Sequence, residues 1–223
     1  MFNVIRFFGV CECYECIKNN SIEQKMFYKI MMRSARHVLY DDIEGKDAEI
    51  IFFAQRLCNE EFLTPLGKKV TRKSIRGVKV KKLSNDNLAH TNGDFVLLES
   101  FTCDQNLGEI LLEWKANNLK IRETNASEEI LNADKNCKTC VTISHPHGSV
   151  LYISVGQKKG EDQIWNETKV DGDDVWGDGL KRLRHSCTSC PGSSGGLVIC
   201  GLSTYKTHSG ATDEPGIGQT TAW

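Results

Sequence analysis

The run Cys187-Thr188-Ser189-Cys190-Pro191-Gly192-Ser193-Ser194-Gly195-Gly196 passes directly into the apolar stretch Leu197-Val198-Ile199-Cys200, and no other segment constrains the chain as much. Gly192, Gly195 and Gly196 allow a tight turn ahead of a strand, with no side chain blocking its outer face. A hydroxyl on such a turn is open to an incoming carbonyl, which makes Ser194 the candidate nucleophile. The N–H groups of Gly192 and Ser194 are the candidate donors to a developing oxyanion, and one such donor is typically worth roughly 3 to 4 kcal/mol. The same letters also describe an ordinary Gly/Ser loop before a strand, so the reading depends on the rest of the chain.

A serine nucleophile needs a base and a group that orients the base. Arg33-Ser34-Ala35-Arg36-His37-Val38 places a histidine behind the strand-like stretch Phe27–Met32, and Asn92-Gly93-Asp94-Phe95-Val96-Leu97-Leu98 places a carboxylate at the mouth of another strand. His37 would take the serine proton, while Asp94 would hold the other ring nitrogen and favour the imidazolium. The three residues follow one another in the order His37, Asp94, Ser194.

Ala35-Arg36-His37-Val38, Gly93-Asp94-Phe95-Val96-Leu97, His145-Pro146-His147-Gly148 and Cys190-Pro191-Gly192-Ser193-Ser194-Gly195-Gly196 together resemble the chymotrypsin-like (trypsin-fold) serine peptidases. Within that group the chain is most similar to uncharacterised invertebrate trypsin-like proteins, over about residues 30 to 210. The resemblance implies an all-β fold of two six-stranded antiparallel β-barrels with short helices between the lobes. It implies a serine endopeptidase that acts through an acyl-enzyme on protein or peptide substrates and requires no cofactor. It also places Thr188, Ser189 and His208 around the substrate pocket, as in glutamyl endopeptidases. Hydroxyls and one imidazole can hydrogen-bond an acidic side chain without burying a full charge, so cleavage after Glu or Asp is expected. Ser193 stands where activated trypsins carry an aspartate, which implies an oxyanion loop shaped by its own hydrogen bonds and no zymogen step. Two alternatives remain: a catalytically inactive binding module of the same fold, and a zinc-stabilised interaction domain.

A net charge of −1 and 39 % apolar residues describe a soluble globular chain with no bias toward nucleic acid or membrane. It is expected to act as a monomer. Met1–Val10 is broken by Arg6 and lacks the long apolar core of a secretory signal, so it reads as a first barrel strand and the chain as cytoplasmic. Sequons at Asn19, Asn125 and Asn166 pull the other way, toward secretion. The basic stretch from residue 66 to 84 includes Val78-Lys79-Val80-Lys81-Lys82-Leu83, whose partial alternation predicts an edge strand with its lysines in water.

Ten cysteines are spaced for metal as much as for disulfides. Cys11, Cys13 and Cys16 with one further thiol or imidazole fit a tetrahedral zinc site, and Cys137 with Cys140 is the expected second half. The competing reading is buried, reduced cysteines packed as small hydrophobes. Cys190 has no partner at the distance a pocket disulfide needs.

Three segments are expected: residues 1–102, an N-terminal barrel lobe with His37 and Asp94; 103–137, an interlobe connection; and 138–223, a C-terminal barrel lobe with Ser194. Leu107, Ile110, Leu111 and Trp114 share one helical face, and Ser127-Glu128-Glu129 opens a second helix. Cys140–Ser144 and Ser149–Val155 read as strands, joined by the turn at His145–Gly148 and followed by a polar loop from Gly156 to Asp178. His145 and His147 read as structural or substrate-side rather than as metal ligands. His185 has no assigned role.

Overall fold

The architecture is that of a computed structural model, which describes residues 3–53, 62–63, 67, 69–81, 94, 96–124, 137–148, 150–163, 181–201, 204–212 and 215–222. The N-terminal strand β1 (Asn3–Val10) lies antiparallel to β2 (Gln24–Ser34), with Asn3 opposite Met31 and Val10 opposite Gln24. Between them sits the short helix α1 (Tyr14–Lys18). Successive side chains of a strand point to opposite faces, and β2 uses both. Tyr28 and Ile30 point into one buried cluster with Val4, while Phe27 points into another with Cys11, Cys13 and Cys16.

After β2 a single 3-10 turn, Arg36–Val38, leads to α2 (Asp42–Asp47). Asp41 caps α2 by accepting hydrogen bonds from the Ile43 and Glu44 N–H groups at 2.9 and 3.0 Å. Next come β3 (Glu49–Phe52), β4 (Phe62–Leu63), β5 (Lys69–Val70), β6 (Lys73–Arg76), β7 (Lys79–Lys81) and β8 (Val96–Thr102). Among the described residues these strands form a four-stranded sheet, β1-β2-β8-β7, and two ribbons, β3-β6 and β4-β5. The ladder breaks between β6 and β7 because the Gly77 and Val78 N–H groups turn to the carbonyls of Ala48 and Gly45. β6 therefore pairs with β3 while β7 moves on to β8. As expected, β7 is an edge strand, and its lysines end in ion pairs: Lys79 with Glu12, and Lys81 with Glu99, which Lys29 also contacts.

The helical face expected between the lobes belongs to one long helix, α3 (Gln105–Thr124), which packs on the first sheet. Leu107 and Leu111 join Val4, Tyr28, Ile30 and Ile75 in the cluster beneath it. Burying each leucine stabilises this docking by roughly 1.5 to 3 kcal/mol. Gly108 makes the approach feasible, since a Cβ there would lie 2.3 Å from the Tyr28 ring. Asp104 caps the helix by accepting from the Leu107 N–H at 3.0 Å. The second expected helix, from Ser127, lies outside the described residues.

In the C-terminal lobe β9 (Thr139–Ser144), β10 (Tyr152–Gln163), β11 (Lys181–His185), β12 (Leu197–Cys200), β13 (Thr204–Ala211) and β14 (Gly218–Ala222) close into a six-stranded barrel, ordered β10-β11-β14-β13-β12-β9. The fold is thus all-β at its core, and closure leaves this barrel no free edge. β10 continues to Gln163, so residues 156–163 of the expected polar loop are strand instead, and the rest of that loop lies outside the described residues. Its first half keeps the ladder because Gly156 lies opposite Cys140 and Gln157 opposite Thr139. Cys140 and Cys200 are register partners on β9 and β12, and they form a disulfide in the barrel interior. Leu183, Val198, Thr142, Thr220, His185 and His208 are buried in the barrel as well.

Candidate active site

β2 and β8 pair up to Ser34 opposite Val96, so the chain leaving β2 and the chain entering β8 emerge side by side. His37 follows one and Asp94 precedes the other, which brings them together across 57 residues. Asp94 holds the histidine at two points: Oδ1 accepts from the His37 backbone N–H at 2.9 Å, and Oδ2 lies 2.5 Å from ring Nδ1. With the Nδ1 proton directed to the carboxylate, Nε2 keeps the lone pair that a general base needs. The imidazole is half exposed, with 52 % of its side chain open to solvent, so a substrate can reach it.

Across the junction, the Cys190–Gly196 turn packs on the end of β2. A Cβ on Gly195 would fall 2.6 Å from Ser34 Oγ, three residues before His37. Within the turn, the Ser193, Gly195 and Gly196 N–H groups bond to the carbonyls of Cys190, His208 and Ser193 at 3.0, 2.8 and 3.0 Å. Among the described residues the N–H groups of Gly192 and Ser194 donate to nothing, so two free donors alternate with fixed ones. That is the pattern an oxyanion site requires. Gly192 has φ +87°, and a Cβ there would lie 2.6 Å from the His147 nitrogen, so both conformation and space demand glycine.

Two braces hold the turn. The His147 N–H donates to the Pro191 carbonyl at 2.9 Å, which gives the His145–Gly148 turn a structural task. The buried Ser193 hydroxyl receives hydrogen bonds from the Cys190 N–H and the Ser144 hydroxyl, each at 3.3 Å. Ser194 is half-buried, and among the described residues its hydroxyl makes no hydrogen bond, to His37 or to anything else. Bonds between nucleophile and base are often long without substrate and tighten when it binds.

β13 approaches the same junction. Its register slips between His208 and Gly210, leaving Ser209 as an extra, bulged residue. The bulge turns the Ser209 hydroxyl toward Asp94, and it donates to the Asp94 carbonyl oxygen at 3.4 Å. Ser34, Ser144 and Ser209 were not singled out from the sequence. Each is a small polar residue beside a motif, and only the pairing register distinguishes them. His208 is 2 % exposed and lies against His185, with ring centroids 5.5 Å apart and the rings tilted by 52°. Burial, reinforced by the nearby His37 charge, lowers its pKa, and Asp94 partly opposes the shift. Burial and His208 push His185 down to about 4. Among the described residues His208 Nδ1 has no hydrogen-bond partner. Thr188 is exposed and Ser189 half-buried, and no hydrogen bond joins either to His208.

The structure groups the candidate metal-ligand cysteines differently from the expectation. Cys140 is bonded to Cys200, and the Cys137 thiol turns to the Thr139 carbonyl, so neither can join a metal site with Cys11, Cys13 and Cys16. Cys103, at the corner between β8 and α3, brings the fourth sulfur instead. Its thiol is pushed up to about 11, first by burial and then by Cys13 and Cys16. Cys16 moves down: burial opposes ionisation, but hydrogen bonds from Lys25 and the neighbouring thiols outweigh it.

No family model matches the sequence, and no curated protein matches it. Among solved structures the chain is similar to two forms of Rv3671c. One is the inactive form of the Ser343Ala mutant from M. tuberculosis H37Rv, at TM-score 0.36 and 10 % identity, covering 97 % of this chain and 91 % of the other. The second is the Rv3671c protease in its inactive form, at TM-score 0.37 and 11 % identity, covering 96 % and 92 %.

Proposed function

We propose that the chain is a serine endopeptidase of the chymotrypsin-like type, with His37 as general base, Asp94 as its orienter, Ser194 as nucleophile and the Gly192 and Ser194 amides as oxyanion donors. The observation that carries this reading is the two-point hold of His37 by Asp94, at the place where the nucleophile turn packs against β2. Ser194 Oγ attacks the peptide carbonyl as its proton passes to His37 Nε2, and the two free amides take up the oxyanion charge. The imidazolium then returns the proton to the departing amine, and water repeats the sequence to release the acid.

A preference for Glu or Asp before the scissile bond is part of the proposal. A buried His208 whose Nδ1 has no partner among the described residues supports it, because with the ring proton on Nδ1 it can donate to an arriving carboxylate. The unbonded Ser194 hydroxyl favours a second reading, a non-catalytic module with the same fold. A fluorophosphonate probe decides between them: only an activated serine is labelled quickly, with loss of label expected in Ser194→Ala and His37→Ala. If the wild-type protein is not labelled, the peptidase reading fails. A peptide-library profile dominated by lysine and arginine would remove the acidic preference alone.

A further inference from the structure

Cys11, Cys13 and Cys16 surround the start of α1, and Cys103 directly follows β8 beside them. All four sulfurs lie within 4.8 Å of one another. Cys13 and Cys16 stand 3.8 and 4.0 Å from the Cys103 sulfur, too far for a disulfide, whose sulfurs sit at about 2.05 Å. A tetrahedron with metal–sulfur bonds of about 2.3 Å has edges of about 3.8 Å, so two of its six edges are nearly in place and small side-chain shifts would bring in the rest. We infer that Cys11, Cys13, Cys16 and Cys103 form a closed, structural zinc site.

Two features fit a built site better than four cysteines packed as hydrophobes. The sulfurs converge from two chain segments 87 or more residues apart, whereas small hydrophobes need no such focus. The Cys13 N–H points at Cys11 Sγ at 3.4 Å, the contact that supports a thiolate. Binding replaces four S–H protons with Zn–S bonds and releases the protons to solvent, leaving a net charge of two minus on the centre.

Four thiolates are the donor set that selects zinc among the common divalent cations, and they leave no open coordination position for water or substrate. The centre therefore acts as a staple. It ties the α1 corner to the residue just before Asp104, the cap of α3, and so anchors the far end of the strand that Asp94 precedes. Nothing in this inference depends on the peptidase reading.

The test is elemental analysis of the purified full chain together with X-ray absorption at the zinc edge. The expected result is one zinc per chain with four sulfur neighbours, and the same stoichiometry in Ser194→Ala. Cys103→Ser should lose metal, whereas Cys137→Ser and Cys190→Ser should retain it. Should Cys103→Ser fail to fold, mercurial titration of the wild-type chain gives the same information, with zinc released as four protected thiols react. Substoichiometric zinc with all four thiols alkylated quickly in the native protein would overturn the inference. So would a disulfide between any two of them, or iron bound in place of zinc.

Discussion

His185 is a titratable group sealed inside the closed barrel, and it ties the stability of the C-terminal lobe to pH. It is fully buried, and its Nδ1 accepts a hydrogen bond from the Cys187 N–H at 3.2 Å, which only a ring without a proton on Nδ1 can do. Burial first, and His208 second, lower its pKa from 6.5 to about 4. Below pH 6.5 the unfolded chain takes up a proton that the folded chain refuses until near pH 4. Unfolding therefore binds up to one proton in this window, and acid favours it. At about 1.4 kcal/mol per unit, the stability lost between pH 7 and 4 on this account is about 3 kcal/mol, full above pH 6.5 and gone near 4. The perturbation is His185→Gln, which keeps polarity without titrating, and the assay is urea unfolding of both proteins from pH 7 to 4. Subtracting the variant removes the carboxylates common to both. The wild-type stability should fall relative to the variant by about 3 kcal/mol. A difference that stays flat across this range, or a His185 ring that titrates near 6.5 by NMR, would refute the reasoning.

Asp94→Asn should leave the fold intact and cut kcat about ten thousandfold, because an amide no longer fixes the tautomer of His37; steady-state kinetics with unchanged circular dichroism checks this. Gly192→Ala should abolish turnover and the fluorophosphonate label while lowering Tm, since the new Cβ meets the His147 backbone at 2.6 Å in a left-handed conformation. Replacing Cys140 and Cys200 together by alanine should cost roughly 2 to 5 kcal/mol in denaturant unfolding, and peptide mapping without reductant should recover the wild-type pair as one linked species.

Much of this arrangement is legible in the order of residues. The nucleophile turn, the histidine behind β2 and the carboxylate ahead of β8 each carry a local mark: glycines that must turn, or a polar residue at the end of an apolar run. The helix at Leu107 and the lysine-rich edge strand are legible for the same reason, since their periodicity is local. Long-range partners were not. Cys140 resembled one half of a metal motif because spacing along the chain says nothing of the strand opposite, where Cys200 lies in register. The further thiol that Cys11, Cys13 and Cys16 call for carries no mark of its own along the chain, and only the folding of the β1–β2 hairpin against the end of β8 brings Cys103 to them. Ser209 could not be found at all, because its role comes from a bulge rather than from a residue type.

That bulge has a consequence for how the protein tolerates change. Ser209 is the surplus residue in β13, and its hydroxyl reaches across to the lobe that carries His37 and Asp94. A deletion at this position would give a more regular ladder on one side of the molecule while severing a tether to the other. A lineage that lost one codon here would keep a sound barrel and weaken the cooperation between its halves.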